Sequence, residues 1–178
     1  NRGFSFENHS APLDMRIDPT SQAVKASDLL NALDRRKLRD LFAEVMERPK
    51  ANWLANHIIM QRLKKPFFKV EDLLTITSGL REKKGLHPAT LAFLALRIAT
   101  NSELDILKET LPKSLSILGS GGRLVVISFH STEDRIVKTF YKSCGQKIIT
   151  KKPVLPSLEE IERNPSSRSA KMRVLQKN

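Results

Sequence analysis

Apolar side chains in the first half of the chain recur at the three- and four-residue spacing of buried helix faces. Leu38, Leu41 and Val45 follow this spacing after Asp34, and the pattern predicts a helix there. Similar patterns predict helices that start near positions 27, 51 and 70. Because no strand pattern interrupts these four short helices, we expect residues 20–85 to form a helical subdomain.

A different pattern follows position 86. Pro88 is suited to the first turn of a helix, and a second helical pattern covers 102–118 before a glycine cluster at 119–122 breaks the chain. Residues 123–129 then form a short continuous apolar run. Such a run predicts a strand that is buried on both faces, as in a parallel sheet covered by helices.

The end of the chain completes this α/β pattern. We expect Ser131 and Asp134 to cap a helix after the apolar strand. Further strands are predicted at 147–150 and 170–176, and three prolines between them indicate an extended connection. Helix, strand, helix and two strands are typical of the closing half of an open α/β sheet.

These patterns predict two domains. Residues 1–19, an irregular loop, and residues 86–178 belong to an α/β domain, and residues 20–85 are a helical insertion in it. The chain of 178 residues is long enough for this arrangement. With 40% apolar and 28% charged residues it has the composition of a globular protein, which excludes disordered and fibrous classes.

Two further features of composition narrow the setting. No run of about eighteen apolar residues is present, so we expect no membrane-spanning helix. Cys144 is the single cysteine, which excludes an internal disulfide and a metal site built from cysteines. A reducing, cytoplasmic compartment fits best.

The positive charge is unevenly distributed. The formal net charge is +12, with +6 in residues 19–86 and +8 in residues 135–178, whereas the two remaining segments carry −1 each. Clustered lysine and arginine favour a polyanionic partner, because neutralised phosphates release counterions. Charge that serves solubility alone is the alternative.

Two polar clusters precede position 104. Asp14 and Asp18 flank Arg16 on a proline-bounded loop, where they would orient a polar substrate or form a surface ion pair. The other cluster begins at His87 and includes Arg97 and Asn101; helix capping is the favoured interpretation of its histidine and asparagine.

Two further clusters lie near the end of the chain. Ser128 to Arg135 follow the predicted buried strand, and ligands bind at the carboxyl ends of strands in open α/β sheets. His130 suits a general base or a hydrogen-bonding group there, and Asp134 would pair with Arg135 or with substrate. Arg168 and Lys171 alternate with small hydroxyl residues, which suits phosphate contacts or a solvated edge strand.

Common catalytic motifs are missing from the sequence. It contains no G-x-G-x-x-G, P-loop, H-E-x-x-H or G-x-S-x-G pattern. A dinucleotide site and a metal site are therefore not expected, and a hydrolase that uses His130 and Asp134 is the weakest alternative.

Taken together, these motifs resemble one family along the whole chain. The segments that carry the resemblance are Arg2-Gly3-Phe4-Ser5-Phe6, Pro12-Leu13-Asp14-Met15-Arg16, His87-Pro88-Ala89-Thr90, Ala95-Leu96-Arg97-Ile98, Gly121 through Arg135, and Asn164-Pro165 through Arg173. They are similar to the bacterial 16S rRNA (cytosine N4)-methyltransferases of the MraW/RsmH family.

The resemblance implies a class I, Rossmann-like methyltransferase fold with a helical insertion. It also implies S-adenosylmethionine as methyl donor and a cytidine of 16S ribosomal RNA in the small subunit as substrate. In this family the cofactor-binding segments lie upstream of the R-G-F-S-F motif. No residue of this chain therefore inherits a cofactor-binding role, and we expect this chain alone to bind no S-adenosylmethionine and to be inactive.

The implied chemistry assigns roles to ten residues. Methylation of an exocyclic amine needs acceptors for the amine protons but no metal, and the candidate acceptors are Asp14 first and His130 second. The candidate substrate and RNA contacts are Arg16, His87, Arg97, Asn101, Asp134, Arg135, Arg168 and Lys171. A non-catalytic RNA- or ribosome-binding module is the alternative function, and a homodimer remains open.

Overall fold

The two sequence patterns fold as two separate units. A computed structural model describes residues 2–80 and 86–178, and these divide into a first unit, Asn1–Glu103, and a second unit, Leu104–Asn178. The predicted division, with an insertion at 20–85, places the boundaries elsewhere and stays a prediction. No helix in the described part of the chain has the length and apolarity needed to cross a bilayer.

The first unit is helical, as the apolar spacing predicts. Its helices are α1 (Ala26–Ala32), α2 (Arg35–Ala43), α3 (Arg48–Arg62), α4 (Val70–Thr77) and α5 (Thr90–Thr100). Asp34 caps α2 by accepting a hydrogen bond from the Lys37 N–H at 2.8 Å. Pro49, expected to end α2, lies instead in the first turn of α3, where its missing N–H has no cost.

One large apolar core holds these helices together. Its largest side chains are fully buried and include Phe42, Leu54, Phe67, Leu73 and Leu96. Burial of each such side chain contributes about 1.5–3 kcal/mol. The irregular segment before α1 takes part in this core through Leu13 and Met15, each 1% exposed, so the loop is fixed by packing.

The second unit is a small mixed α/β structure. Its elements are α6 (Glu103–Ser116), β1 (Arg123–Ser128), α7 (Ser131–Ser143), β2 (Lys147–Ile148), α8 (Leu158–Arg163), a 3-10 helix (Pro165–Ser169) and β3 (Lys171–Gln176). The sheet order is β1-β3-β2, and β3 pairs antiparallel with both neighbours. Val125 lies opposite Val174 in this register.

The expectation that β1 is buried on both faces is wrong. Side chains of α6, α7 and the sheet form the buried cluster, which comprises Leu111, Val137, Tyr141 and Leu175 with Leu124 and Val126 packed against it. The alternate positions Val125 and Ile127 are 52% and 55% exposed. The apolar run reflects two apolar faces, of which one is covered within this chain.

The extended connection predicted between β2 and β3 is also wrong. Ser157 caps α8 by accepting from the Glu160 N–H at 3.1 Å, and Pro165 lies in the first turn of the 3-10 helix. The prolines in this segment therefore precede or begin helical turns. Val154 returns to the sheet and exchanges two backbone hydrogen bonds of 2.9 Å with Met172.

Candidate functional site

The segments 2–6 and 12–17 lie side by side in the first unit. The Met15 N–H donates to the Arg2 carbonyl at 2.8 Å, and Arg2 Nη1 donates to the Ile17 carbonyl at 3.2 Å. Gly3 has a φ of +77°, and a Cβ at this position would lie 2.5 Å from the Pro12 carbonyl oxygen. Only glycine allows this approach without displacement of the backbone.

Met15 adopts a left-handed backbone conformation, with a φ of 58°. This conformation is rare for a residue with a long side chain and persists where the surroundings enforce it. Asn101 at the end of α5 supplies that constraint: its Nδ2 donates to the Met15 carbonyl and its Oδ1 accepts from the Ile17 N–H, both at 2.8 Å. Asn101 thus fixes the loop between them.

Asp14 and Arg16 form a forked ion pair on this loop. Arg16 Nε donates to Asp14 Oδ1 at 2.6 Å and Nη2 donates to Oδ2 at 2.9 Å, while Arg16 Nη1 donates to the Gln22 carbonyl at 2.7 Å. Asp14 is 9% exposed. The Arg16 side chain lowers the pKa of Asp14 below its ordinary value of 3.8, so the carboxylate stays ionised at neutral pH.

Asp18 does not share Arg16, although the spacing placed the arginine between two carboxylates. Its side chain accepts hydrogen bonds from the hydroxyls of Ser21 at 2.6 Å and Thr20 at 2.5 Å. These bonds lower the pKa of Asp18 to about 2. Asp18 therefore closes an exposed local turn, and Asp14 is the buried carboxylate of the pair.

His87 and Arg97 make contacts within the first unit. The His87 ring stacks on Phe6 with centroids 4.3 Å apart, and its Nδ1 accepts from the Ala89 N–H at 3.2 Å. Helix α5 accordingly begins at Thr90 rather than at Pro88. Arg97 forms a forked pair with Glu103, at 2.9 and 3.0 Å.

His130 is the N-cap residue of α7, which corrects the expectation that Ser131 and Asp134 cap this helix. Its Nδ1 accepts from the Glu133 N–H at 3.3 Å, and Glu133 Oε2 accepts from the His130 N–H at 3.2 Å. This reciprocal arrangement is a capping box. The histidine thereby has a structural role that spacing did not assign.

The second ring nitrogen of His130 is buried. His130 Nε2 lies 3.3 Å from Glu133 Oε1, but it makes no hydrogen bond of good geometry within residues 2–80 and 86–178. Burial raises the pKa of Glu133, but hydrogen bonds from the His130 side chain and the Phe129 N–H outweigh it, and the pKa lies below 4.5. A buried histidine against an ionised carboxylate thus stands at the end of β1.

Asp134 pairs with Arg173, not with its neighbour Arg135. Arg173 Nε and Nη2 donate to the two carboxylate oxygens of Asp134 at 2.6 and 3.0 Å. Arg173 is 6% exposed, and its side-chain hydrogen bonds lower the pKa of Asp134. Sequence spacing missed this pair because 39 residues separate the partners.

The remaining candidates lie at the surface of the second unit. Arg135 and Arg168 are exposed, and Lys171 is partly buried at the start of β3. Across both units the ten candidates fall into two sets. Those in the first unit are Asp14, Arg16, His87, Arg97 and Asn101, and those in the second are His130, Asp134, Arg135, Arg168 and Lys171.

Comparison with known proteins is consistent with the resemblance described above. The sequence model of the MraW methylase family matches residues 1–178. Proteins named ribosomal RNA small subunit methyltransferase H are similar: the one from Dictyoglomus thermophilum is 46% identical over 97% of this chain and 59% of its own length. The one from Coprothermobacter proteolyticus is 47% identical over 99% of this chain and 60% of its length.

A third relative of the same name, from Chlamydia caviae, is 44% identical over 99% of this chain and 62% of its own length. The chain therefore spans about 60% of the length of the curated relatives it matches. Because the family model covers every residue and the identities exceed 40%, the chain belongs to the MraW methylase family.

Proposed function

We propose that this chain is part of an enzyme that transfers a methyl group from S-adenosylmethionine to the N4 amine of a cytidine in 16S ribosomal RNA. The observation that carries the proposal is the Asp14 loop, residues 12–18, in a member of a methylase family. Its ionised carboxylate is held by Arg16 beside a left-handed Met15, which is the kind of backbone strain found at functional sites.

The methyl donor, when bound, supplies an activated methyl group on sulfur. The described residues do not fit a donor site, because the glycine cluster at 119–122 precedes β1 instead of following a strand. Within that cluster the Gly121 N–H already donates to the Lys177 carbonyl at 2.8 Å. We assign no residue of this chain to the donor. Its site is proposed to lie in the part of the relatives' length that this chain does not span.

The amine of cytosine is a weak nucleophile because its lone pair is delocalised into the ring. A fixed acceptor that hydrogen-bonds the amine protons directs the lone pair toward the methyl group. With its lowered pKa, Asp14 is suited to accept such a hydrogen bond but is a poor base for complete proton removal. We therefore propose Asp14 as the positioned acceptor.

His130 is the weaker candidate for this role. Its Nδ1 lone pair accepts the Glu133 N–H, which leaves a proton on Nε2 in the neutral ring. A ring in this state donates at Nε2 instead of accepting. His130 is proposed to shape the end of β1, and Asn101 is proposed to position the Asp14 loop.

The sheet of the second unit is proposed to continue as a class I methyltransferase sheet. Within the described residues β1 pairs with β3 alone, so its other edge carries unpaired backbone groups. Edges of this kind are normally paired or covered. The exposed apolar side chains Val125 and Ile127 support the same proposal, since exposed apolar patches mark contact surfaces.

The RNA contacts are proposed to be mainly electrostatic. Methylation requires the cytidine to leave its stack, which favours a single-stranded or loop nucleotide. The exposed Arg135 and Arg168 are proposed contacts for the phosphates around it. Arg16, Arg97 and Asp134 are engaged in ion pairs, so they are proposed to hold local structure.

Single-turnover methylation of small ribosomal subunits tests the proposal. The assay uses the complete enzyme, meaning this chain together with the remaining length found in its relatives. Asp14→Asn should lower the rate about a hundredfold or more, the usual scale for a positioned proton acceptor, with little change in RNA affinity. Asp18→Asn is the matched control, because it removes a carboxylate from the same loop and should leave the rate within about twofold of wild type.

The melting temperature separates a catalytic effect from a folding defect. Near-normal turnover in Asp14→Asn would contradict the proposed role and leave Asp14 as a structural partner of Arg16. The second candidate function, a non-catalytic RNA-binding module, is favoured by the net charge of +12. It predicts that the complete wild-type protein binds small subunits but transfers no methyl group from labelled donor.

A further inference from the structure

A basic cavity of about 230 Å³ lies in the second unit, beside α7 and the strands β2 and β3. The side chains that define it are Lys138, Tyr141, Lys142, Thr150, Lys151 and Arg173. Four of them are cationic, and none of the lining residues is acidic. Such a concentration of one charge sign around a concave surface attracts an anion.

The lysines of this cavity do not have the ion pairs usual for surface lysines. Lys138 and Lys142 are four residues apart on α7, so they project from one face of the helix and repel each other. Within residues 2–80 and 86–178, neither Lys142 nor Lys151 is within salt-bridge distance of a carboxylate. The acid nearest in charge to Lys138 is Asp134, which already forms its forked pair with Arg173.

Neutral groups of the cavity add directional donors. Thr150 Oγ1 accepts the Val174 N–H at 2.8 Å, which leaves its own hydroxyl proton available to a ligand. Arg173 binds Asp134 through Nε and Nη2, so Nη1 takes no part in the fork. The hydroxyl of Tyr141 donates to the Leu124 carbonyl at 3.0 Å, and its ring forms an apolar wall.

We propose that this α7 basic pocket binds a backbone phosphate of single-stranded RNA. The proposal rests on the proposed function and names a further RNA site for it. Ammonium groups and a hydroxyl are typical phosphate donors in nucleic-acid complexes, and the apolar wall of Tyr141 and Ile148 suits a ribose. The pocket shares α7 with His130 and Asp134, so the bound phosphate would flank the nucleotide at the end of β1.

The test measures binding of a labelled single-stranded RNA oligonucleotide to this 178-residue chain by fluorescence anisotropy, across a series of salt concentrations. The double variant Lys138→Gln/Lys142→Gln should weaken binding roughly tenfold at low salt. It should also reduce the slope of log affinity against log salt by about 1.4, since each lost contact to a single strand contributes about 0.7.

Lys108→Gln/Lys113→Gln is the matched control, because it removes the same charge from α6 in the same unit. We expect this control to leave the slope unchanged. An equal loss in both double variants would show that net charge alone drives binding, and it would overturn the pocket. Thr150→Val, which removes a donor without changing charge, should weaken binding about threefold.

Two further measurements keep the outcome decisive. Inorganic phosphate should compete with RNA only at millimolar concentration; tight phosphate binding with an unchanged RNA slope would identify a small-anion site instead. Melting temperatures identify any variant that fails to fold, and Lys151→Gln then replaces the double variant. Since this readout needs no methyl transfer, a complete enzyme without activity would contradict the proposed function and leave the pocket standing.

Discussion

The two units of the chain reach order by different means. The first unit buries a continuous apolar core that includes Phe42, Leu54 and Phe67 at 0% exposure. The second buries a small cluster around Leu111 and Leu175, with apolar side chains exposed on the other face of its sheet. The first unit thus has the core of an independent domain, whereas the second depends on polar contacts and on cover from elsewhere.

The polar contacts differ in the same way. In the first unit the buried polar groups Asp14 and Asn101 hold a strained loop against a core that would exist without them. In the second unit the Asp134–Arg173 pair joins α7 to β3 and lies beside the small core. Loss of a polar contact should therefore affect local geometry in the first unit and overall stability in the second.

Core truncation should give the largest contrast between the units. Phe42→Ala should lower the free energy of unfolding of the first unit by about 3–5 kcal/mol, whereas Ile127→Ala, at a side chain 55% exposed, should cost within about 0.5 kcal/mol. The single Trp53 reports unfolding of the first unit and the single Tyr141 that of the second. Equal losses in urea titrations of the two variants would show that the exposed face of β1 is covered.

Removal of one partner of the buried pair should have the next largest effect. Asp134→Asn leaves Arg173 buried without its counter-charge, which should cost about 3 kcal/mol in the second unit. Asp134→Leu/Arg173→Met should restore much of that loss, because an apolar pair avoids desolvation of two charges. A double variant as unstable as the single one would show that packing at this site, not charge, was disturbed.

The same pair predicts an acid limit for the second unit. The folded-state pKa of Asp134 is lowered, so the pair contributes stability at every pH above the unfolded-state value of about 3.9. This contribution is lost as pH falls through the lowered value. Melting temperatures that follow Tyr141 should be flat from pH 7 to about 5 and fall below about pH 4, and Asp134→Asn should reduce that dependence.

Local patterns predicted the helices of the first unit because buried faces repeat every three to four residues. Asp34 as a cap and the Asp14–Arg16 pair were also within reach, since their partners are near in sequence. The pair was expected at the surface and is buried. The forked geometry and the left-handed Met15 depend on Asn101, which is more than eighty residues from the loop and beyond any local pattern.

The second unit was harder to predict for physical reasons. A continuous apolar run cannot indicate which of its two faces has a partner, so the burial of β1 was overestimated. The prolines before α8 looked like an extended connection, although Ser157 follows them as an N-cap. The Asp134–Arg173 pair depends on the β1–β3 register, which brings distant residues to one end of the sheet.

Two glycines with nearly the same backbone angle allow a test of smaller size. Gly3 and Gly121 have φ values of +77° and +78°, so alanine at either should cost about 1–2 kcal/mol for the left-handed backbone. At Gly3 the added Cβ would also meet the Pro12 carbonyl oxygen at 2.5 Å, whereas at Gly121 the nearest atom is 3.9 Å away. Gly3→Ala should therefore cost about 2 kcal/mol more, and equal losses in thermal unfolding would contradict the close approach.

The smallest expected effect concerns His130 and separates its two interpretations. His130→Ala removes the N-cap of α7 and should cost about 1 kcal/mol, whereas His130→Asn supplies another good cap and should be nearly neutral. If the histidine serves α7 alone, His130→Asn in the complete enzyme should also methylate small subunits at close to the normal rate. A rate at least tenfold lower at an unchanged melting temperature would contradict this. It would make His130, with its buried Nε2, a second acceptor or donor at the reacting amine.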